Sequence, residues 1–253
     1  MPNVKLTLQY DGTGFAGLEL QPGQRTIRAE LAKALKTLYK RQIPFITASR
    51  TDAGVHALGQ VISYQPPFTI PLDKLPVALN GVLPADIRVI KAEAKPKSFH
   101  ARYGAKGKEY EYLIYNGPVM PPHLRYLAWH VKPKLNLATM KKAVKYLVGK
   151  HDFSSFCAAN SDDTNFVRTI HSLVIGHLTF VISSSLTVSL ISLRVKGNGF
   201  LYKMVRNLVG TLVEVGLGRR KPEEMKRMLA AKDRRTAGKT ATAQGLCLLR
   251  IDY

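Results

Sequence analysis

Hydrophobic and polar residues alternate in the first part of the chain. From residue 4 to residue 10 every second side chain is apolar, which predicts a strand with one buried face. Thr26 then stands where a helix N-cap belongs, ahead of an apolar stripe that begins at Ile27. The other elements predicted for this half are strands at 44–49, 59–64 and 87–89 and a weaker helix at 71–80. The order β-α-β-β-α-β is that of a ferredoxin-like unit.

The second half repeats this order. The predicted elements are a strand at 108–116, a helix capped by Asn136, strands at 168–177 and 186–195, a helix from Phe200 to Val215, a short extra helix from Pro222 to Ala231 and a strand from Leu246 to Ile251. The pattern therefore predicts an α+β fold. Its two ferredoxin-like βαββαβ halves are expected to form an extended mixed, mainly antiparallel sheet, with helices on one face and a central cleft.

A basic, turn-rich stretch marks the predicted junction between the halves. It covers residues 95–107, with the sequence AKPKSFHARYGAKGK across residues 94–108. We expect an N-terminal subdomain at 1–103 and a C-terminal subdomain at 104–253 that completes the cleft.

The net charge of the chain indicates which kind of molecule it binds. The 253 residues include 38 Lys and Arg against 17 Asp and Glu, a formal net charge of +21. A surplus of this size favours an anionic partner, and nucleic acid is the commonest. A generally basic protein without a specific ligand is the alternative. An anionic membrane surface fits less well, because the surplus is spread along the chain and not gathered beside one amphipathic anchor.

The remaining composition predicts a cytoplasmic protein. Cys157 and Cys247 are too few for a disulfide framework or a cysteine-rich zinc site. The first residues open directly on a strand pattern and not on a signal segment. The longest apolar region, 172–193, is interrupted by His177 and by several Ser and Thr, so no membrane span is expected.

The sharpest local signal is the segment 49–57, with the sequence SRTDAGVHA. A short strand leads into a turn in which Asp52 is flanked by an arginine, a hydroxyl group and a glycine. Small neighbours let a substrate approach the backbone closely. Aspartate is also common in turns where it only hydrogen-bonds its own backbone, so the pattern alone leaves both interpretations open.

This segment is similar to the nucleophile motif R-T-D-A-G-V-H-A of the TruA-type tRNA pseudouridine synthase family. The resemblance covers nearly the whole chain, through LTLQYDGT at 6–13, FHARY at 99–103, KEYEY at 108–112, HDFSSF at 151–156, RTI at 168–170, GFLYKMVRN at 199–207 and GL at 245–246. One departure is clear. The family usually has G-W-Q after the first turn, whereas this chain has Gly17, Leu18 and Glu19, so contacts by that Trp and Gln are not carried over.

The resemblance implies a catalytic set. Asp52 is implied as the nucleophile, Arg206 as the guanidinium that keeps this carboxylate charged, and Tyr110 as the ring that stacks on the target uracil. By pattern alone, Tyr110 is more simply a core tyrosine of a strand, and Arg206 a solvent-facing arginine of an amphipathic helix. The reaction is a redox-neutral isomerisation, so no cofactor and no metal is expected.

The resemblance also implies the substrate, which is uridine at positions 38, 39 and 40 in the anticodon arm of tRNA, and a homodimer as the working form. The target base must be flipped out, and Arg50 is the residue expected to brace the displaced nucleotide. Arg102 and Lys108 are expected to bind the RNA, with further candidates at Lys106, Arg219, Arg220, Lys221, Arg234 and Arg235. His56 and His100 are expected to tune loop geometry, and Trp129 to be a core residue.

Two other functions fit parts of the sequence. A non-catalytic basic module that binds or folds tRNA explains the charge equally well, but not the RTDAG loop together with Tyr110 and Arg206. A metal-dependent nuclease needs clustered carboxylates, whereas Asp162 and Asp163 form an isolated pair in a polar loop.

Overall fold

The computed structural model describes residues 2–159, 161, 163–183 and 186–253. These residues form ten strands and five α-helices. In chain order they are β1 (Asn3–Tyr10), α1 (Ile27–Tyr39), β2 (Ile46–Thr47), β3 (His56–Tyr64), α2 (Leu75–Asn80), β4 (Ile87–Lys95), β5 (Gly107–Tyr115), β6 (Trp129–His130), α3 (Leu137–Val144), β7 (Gly149–Asp152), β8 (Val167–Ser183), β9 (Leu186–Gly197), α4 (Met204–Gly216), α5 (Glu224–Ala231) and β10 (Leu246–Asp252).

The chain divides into two compact units. The first is Met1–Lys106 together with Cys247–Tyr253, and the second is Gly107–Leu246. The last strand therefore belongs mainly to the first unit, where Cys247 pairs with His56 in a parallel register.

The sheet of the first unit has the strand order β4-β1-β3-β10, with the short β2 also paired to β3. β1 is antiparallel to both β3 and β4, and β2 is antiparallel to β3. The alternation predicted for β1 is observed, because Leu6 and Leu8 are completely buried. Thr26 caps α1 as predicted, since its hydroxyl accepts a hydrogen bond from the Ala29 N–H at 3.2 Å.

The sheet of the second unit has the strand order β5-β9-β8-β7, all antiparallel, with β6 added parallel to β5. α3 packs on α4, and Gly216 lies so close to the Met140 side chain that a Cβ at position 216 would meet its sulfur. α4 is the most completely buried helix among those described, since eleven of its thirteen residues are buried. The predicted α+β class with mainly antiparallel pairing is confirmed in both units.

Several predicted boundaries are wrong. The helix predicted from Phe200 begins at Met204, because Lys203 has a left-handed backbone with φ of 55° that no α-helix can contain. The helix predicted at 71–80 begins at Leu75, and Pro76 is tolerated in its first turn. β6 and β7 were not predicted, because two and four residues are too few to show a period.

Candidate active site

Asp52 lies in the turn that joins β2 to β3, and its side chain is half-buried. The Val55 N–H donates to the Asp52 carbonyl oxygen at 3.1 Å and closes the turn. Gly54 has φ of 77°, a left-handed conformation that glycine adopts without strain at the third position of such a turn. Arg50 and Ala53, on either side of Asp52, are exposed. The turn therefore carries a half-buried aspartate two residues after an exposed arginine.

A buried side-chain network holds the strand that leads into this turn. Gln60 is completely buried, and its amide donates to the Ser49 carbonyl oxygen at 2.7 Å and accepts from the Ser49 N–H at 3.3 Å. The same amide donates to the Tyr10 hydroxyl at 3.2 Å, and this hydroxyl lies 2.8 Å from Thr51 Oγ1. These four contacts tie Ser49 and Thr51, at the base of the turn, to β1 and β3.

The first turn of the chain, residues 11–18, supports the other side of the Asp52 turn. The Leu18 N–H donates to the Thr51 carbonyl oxygen at 3.0 Å, and the Gly54 N–H donates to the Phe15 carbonyl oxygen at 3.4 Å. Gly12 lies directly against the main chain of Val55, where a Cβ atom would overlap the carbonyl group. The backbone on both sides of Asp52 is therefore held from outside the turn.

The two positions that depart from the family pattern lie in this supporting layer. Leu18 is completely buried. Glu19 forms an ion pair with Arg28 at 2.7 Å and accepts a hydrogen bond from Thr47 Oγ1 at 3.3 Å. Both side chains thus have a place within the fold of the first unit.

His56 connects the turn to the end of β1. The Gly12 N–H donates to His56 Nδ1 at 3.1 Å, and the His56 ring is buried. Asp11 lies beside it and accepts from the N–H and the hydroxyl of Thr13 at 2.9 and 2.6 Å. Burial opposes ionisation of Asp11, but the bonds from Thr13 and the proximity of His56 prevail and lower the pKa of this carboxyl group. His56 therefore contacts the first turn directly.

Tyr110 lies on β5 in the second unit, opposite Val195 of β9, and only 6% of its surface is exposed. The Phe200 ring meets it edge to face, with ring centres 5.3 Å apart. Tyr112 lies two residues further along the strand and is completely buried. Its hydroxyl donates to the Thr242 carbonyl oxygen at 2.7 Å, and burial raises its pKa above the ordinary value.

Arg206 lies in the first turn of α4 and is half-buried. Its Nε donates to the Ala241 carbonyl oxygen at 2.8 Å, and the Ala241 N–H donates to the Arg206 carbonyl oxygen at 3.1 Å. The first bond orients the guanidinium, and the second joins the main chain of α4 to the segment that precedes β10.

Asn207, the next residue, is completely buried and anchors the same segment. Its Nδ2 donates to the Phe156 carbonyl oxygen at 2.8 Å, and its Oδ1 accepts from Thr240 Oγ1 at 2.7 Å and from Arg234 Nη2 at 3.0 Å. Arg234, a candidate phosphate contact, therefore has a structural task within the second unit.

The other predicted RNA-binding residues are distributed between the units. Arg102 is exposed in the first unit, with its guanidinium over the Tyr103 ring, and Lys108 is half-buried at the start of β5. Arg220 is held by Glu214 and by the Thr236 carbonyl oxygen, and Arg235 pairs with Asp233 at 2.8 Å. Within the described part of the chain, the side chains of Lys106, Arg219 and Lys221 are exposed and are not held by a hydrogen bond or an ion pair.

The motifs gave no role to three side chains that support the site, Tyr10, Gln60 and Asn207. Tyr10 and Asn207 lie inside motifs quoted above, whereas Gln60 lies outside them. A glutamine in a strand of apolar residues and an asparagine on the buried side of a helix were the available signals, since buried polar side chains are kept only where they find partners.

Within the described part of the chain, no three His, Cys, Asp or Glu side chains form a cluster able to hold a metal ion. Asp163 accepts a hydrogen bond from Arg168 at 3.0 Å, and Asp162 lies outside the described residues. No helix in the described ranges has the length and apolar character needed to cross a membrane.

Comparison with known proteins decides the family. A family model described as tRNA pseudouridine synthase matches residues 7–104 and 143–253. The chain belongs to the tRNA pseudouridine synthase family. The resemblance found in the motifs and the predicted enzyme class, an isomerase, are confirmed. Asp52 and Arg206 of this pseudouridine synthase lie within the matched ranges, and Tyr110 lies between them.

Curated relatives match the synthase over its whole length. A protein of Bacillus licheniformis named tRNA pseudouridine synthase A is 48% identical over 252 residues, which cover 99% of this chain and 98% of the relative. Proteins of the same name from Shouchella clausii and Bacillus pumilus are 47% and 46% identical. The matches cover 94% and 98% of these relatives.

Proposed function

We propose that this synthase converts uridine to pseudouridine in the anticodon stem-loop of tRNA, at positions 38, 39 and 40, with Asp52 as its nucleophile. The observation that carries the proposal is the setting of Asp52. Its carboxylate lies on a turn whose two flanks are fixed by buried hydrogen bonds, inside a segment that the family model matches. A fixed turn of this kind suits a group that must meet a reacting atom in one orientation.

The reaction rearranges bonds within one nucleotide. The bond between ribose C1′ and uracil N1 breaks, the base turns, and C1′ bonds to C5. The C5 proton is lost and N1 gains a proton, so no electrons are exchanged and no redox cofactor is required. An ionised Asp52 would form the covalent adduct, either at uracil C6 or at ribose C1′.

Tyr110 and Arg206 are proposed to assist Asp52. The Tyr110 ring is held by perpendicular contact with Phe200, which favours a fixed surface on which the uracil stacks. The Arg206 guanidinium, oriented by the Ala241 carbonyl oxygen, is proposed to keep the nucleophile ionised during the reaction.

The substrate base must leave its helix before Asp52 can reach it, which costs a few kcal/mol. Arg50, exposed two residues before Asp52, is proposed to brace the displaced nucleotide. Arg102 and Lys108 are proposed to contact the RNA, in keeping with the net charge of +21. We further propose that the enzyme works as a homodimer, because one protomer is small compared with a tRNA. Its proposed location is the cytoplasm.

A single-turnover assay with unmodified tRNA tests the proposal. Asp52→Asn should form no pseudouridine while its Kd for tRNA stays within a few-fold of the wild-type value. Asp73→Asn, which changes an exposed aspartate of the same unit, is the matched control and should react normally. Product from Asp52→Asn, or a large loss of binding, would show that Asp52 is not the nucleophile.

The alternative, a non-catalytic module that binds or folds tRNA, gives a different result. In that case the wild-type protein binds the tRNA and leaves every uridine unchanged. Mapping pseudouridine in tRNA from cells with and without the protein then tests positions 38, 39 and 40 directly.

A further inference from the structure

The second unit contains a cavity of about 380 Å³ beside the C-terminal half of α4. One wall is β6 and the residues after it, and the other is α4 with the turn that follows. Polar and aromatic side chains in its lining include Trp129, His130, Lys132, Glu214, Arg219 and Lys239. The volume lies within the usual range for small-molecule sites.

The charge around this cavity is positive. Lys132, Arg219 and Lys239 are exposed, and in the described part of the chain neither lysine side chain forms an ion pair. The one acidic group in the lining, Glu214, is bound by Arg220 and by the Lys239 N–H at 3.1 Å. Arg219 lies near the charge of Glu214, but among the described residues the two lysine side chains have no acidic partner, and an anion gains from binding there.

Trp129 adds an aromatic surface to these cations. It is half-buried on β6, and the Tyr112 ring meets it edge to face with centres 6.4 Å apart. The perpendicular contact with Tyr112 supports the indole, and the indole lines the cavity. An inorganic anion has no aromatic ring that could stack on the indole. Stacking of a base on an aromatic side chain beside phosphate-binding cations is the way proteins bind unpaired RNA nucleotides.

We propose that this cavity is a second RNA-binding site, which takes one unpaired nucleotide of the tRNA with its base on Trp129 and its phosphate at Lys132 and Lys239. The choice of tRNA as the RNA rests on the proposed function. The helix that carries Arg206, α4, also forms part of the cavity wall. Glu214 of this wall is eight residues after Arg206, or about 12 Å along the helix axis. An RNA chain bound near Arg206 is long enough to extend to the cavity, whereas a single nucleotide is not.

Trp129 makes the test direct, because it is the only tryptophan in the chain. Its fluorescence is measured while the full-length protein is titrated with unmodified tRNA, with uridine monophosphate and with inorganic phosphate. We expect a saturable change with tRNA. If only the mononucleotide or phosphate produces a change, the cavity is a site for free anions and the proposal is overturned.

A double variant separates local binding from a remote effect on the indole. Lys132→Ala with Lys239→Ala should lose most of the fluorescence change, bind tRNA about tenfold more weakly, and show a salt slope shallower by about 0.7 on a log–log plot, as expected for the loss of one phosphate contact. The matched control is Lys141→Ala with Lys226→Ala, two exposed lysines of α3 and α5 outside the lining. Equal behaviour of the two double variants would overturn the proposal.

The fluorescence readout does not depend on catalysis. If the wild-type protein bound tRNA through Trp129 but formed no pseudouridine, the proposed function would fail and the second site would stand. If pseudouridine formed while the indole did not respond to tRNA, the second site would fail alone.

Discussion

The side-chain amide of Gln60 forms two hydrogen bonds with the main chain of Ser49, one in each direction. These bonds join β3 to the segment that enters the Asp52 turn, and a third bond joins them to Tyr10. The position of the proposed nucleophile therefore depends on a neutral, completely buried side chain whose bonds described above go to Ser49 and Tyr10.

Gln60→Leu should weaken both stability and catalysis. It removes two hydrogen bonds from the buried main chain of Ser49, which costs about 2–3 kcal/mol of unfolding free energy. The single-turnover rate should fall about tenfold to a hundredfold, because small displacements of a reacting group are costly, while tRNA affinity changes little. Urea unfolding and single-turnover kinetics measure the two effects. Gln65→Leu, at an exposed position, is the control, and equal rates in the two variants would contradict the prediction.

Gly12→Ala should disturb the same turn from its other side. The new methyl group would overlap the Val55 carbonyl group, and forcing the two apart costs about 1–3 kcal/mol. We expect a lower unfolding midpoint in urea and slower product formation. Gly176→Ala serves as the matched control, because a Cβ atom at position 176 meets nothing within 4 Å. Unchanged stability of Gly12→Ala would mean that the first turn can move away from Val55 at little cost.

Tyr110→Phe separates stacking from proton transfer. The phenylalanine ring keeps its contact with Phe200 and its ability to stack, so the Kd for tRNA should change by less than a few-fold. If the hydroxyl assists proton transfer at C5, the single-turnover rate falls by about 100-fold or more. Tyr110→Ala, measured alongside, should lose affinity as well. A Tyr110→Phe rate equal to that of the wild type would limit Tyr110 to stacking.

Glu214 should make the stability of the second unit depend on pH. Burial opposes its ionisation, but the bonds from Arg220 and from the Lys239 N–H, with the nearby charge of Arg219, prevail and lower its pKa below the ordinary 4.5. A lowered pKa in the folded state stabilises the fold above about pH 4.5, and this contribution is lost as the pH falls through the folded-state pKa.

Glu214→Gln should therefore be less stable than the wild type at pH 7, and the difference should shrink in acid. Urea unfolding at pH 7 and at several values below 4.5 measures it. The exposed Glu223→Gln is the control and should show a smaller difference at neutral pH. A Glu214→Gln deficit that is independent of pH would assign the effect to packing and not to charge.

Local features of the fold could be read directly from the sequence. The alternation in β1 and the Thr26 cap of α1 appear in the structure as predicted, because both depend on residues within one element and its flank. The family also followed from short motifs in order, and the net charge followed from composition. These properties need no knowledge of which distant segments meet.

Tertiary structure decided what depends on distant residues. The start of α4 is set by a left-handed Lys203, and the plane of Arg206 by a carbonyl group 35 residues away. Trp129, interpreted from the sequence as a core residue, lies half-buried on a cavity wall formed with α4. Such relationships arise from hydrogen bonds and packing between segments that only folding brings together, and no local period or composition records them.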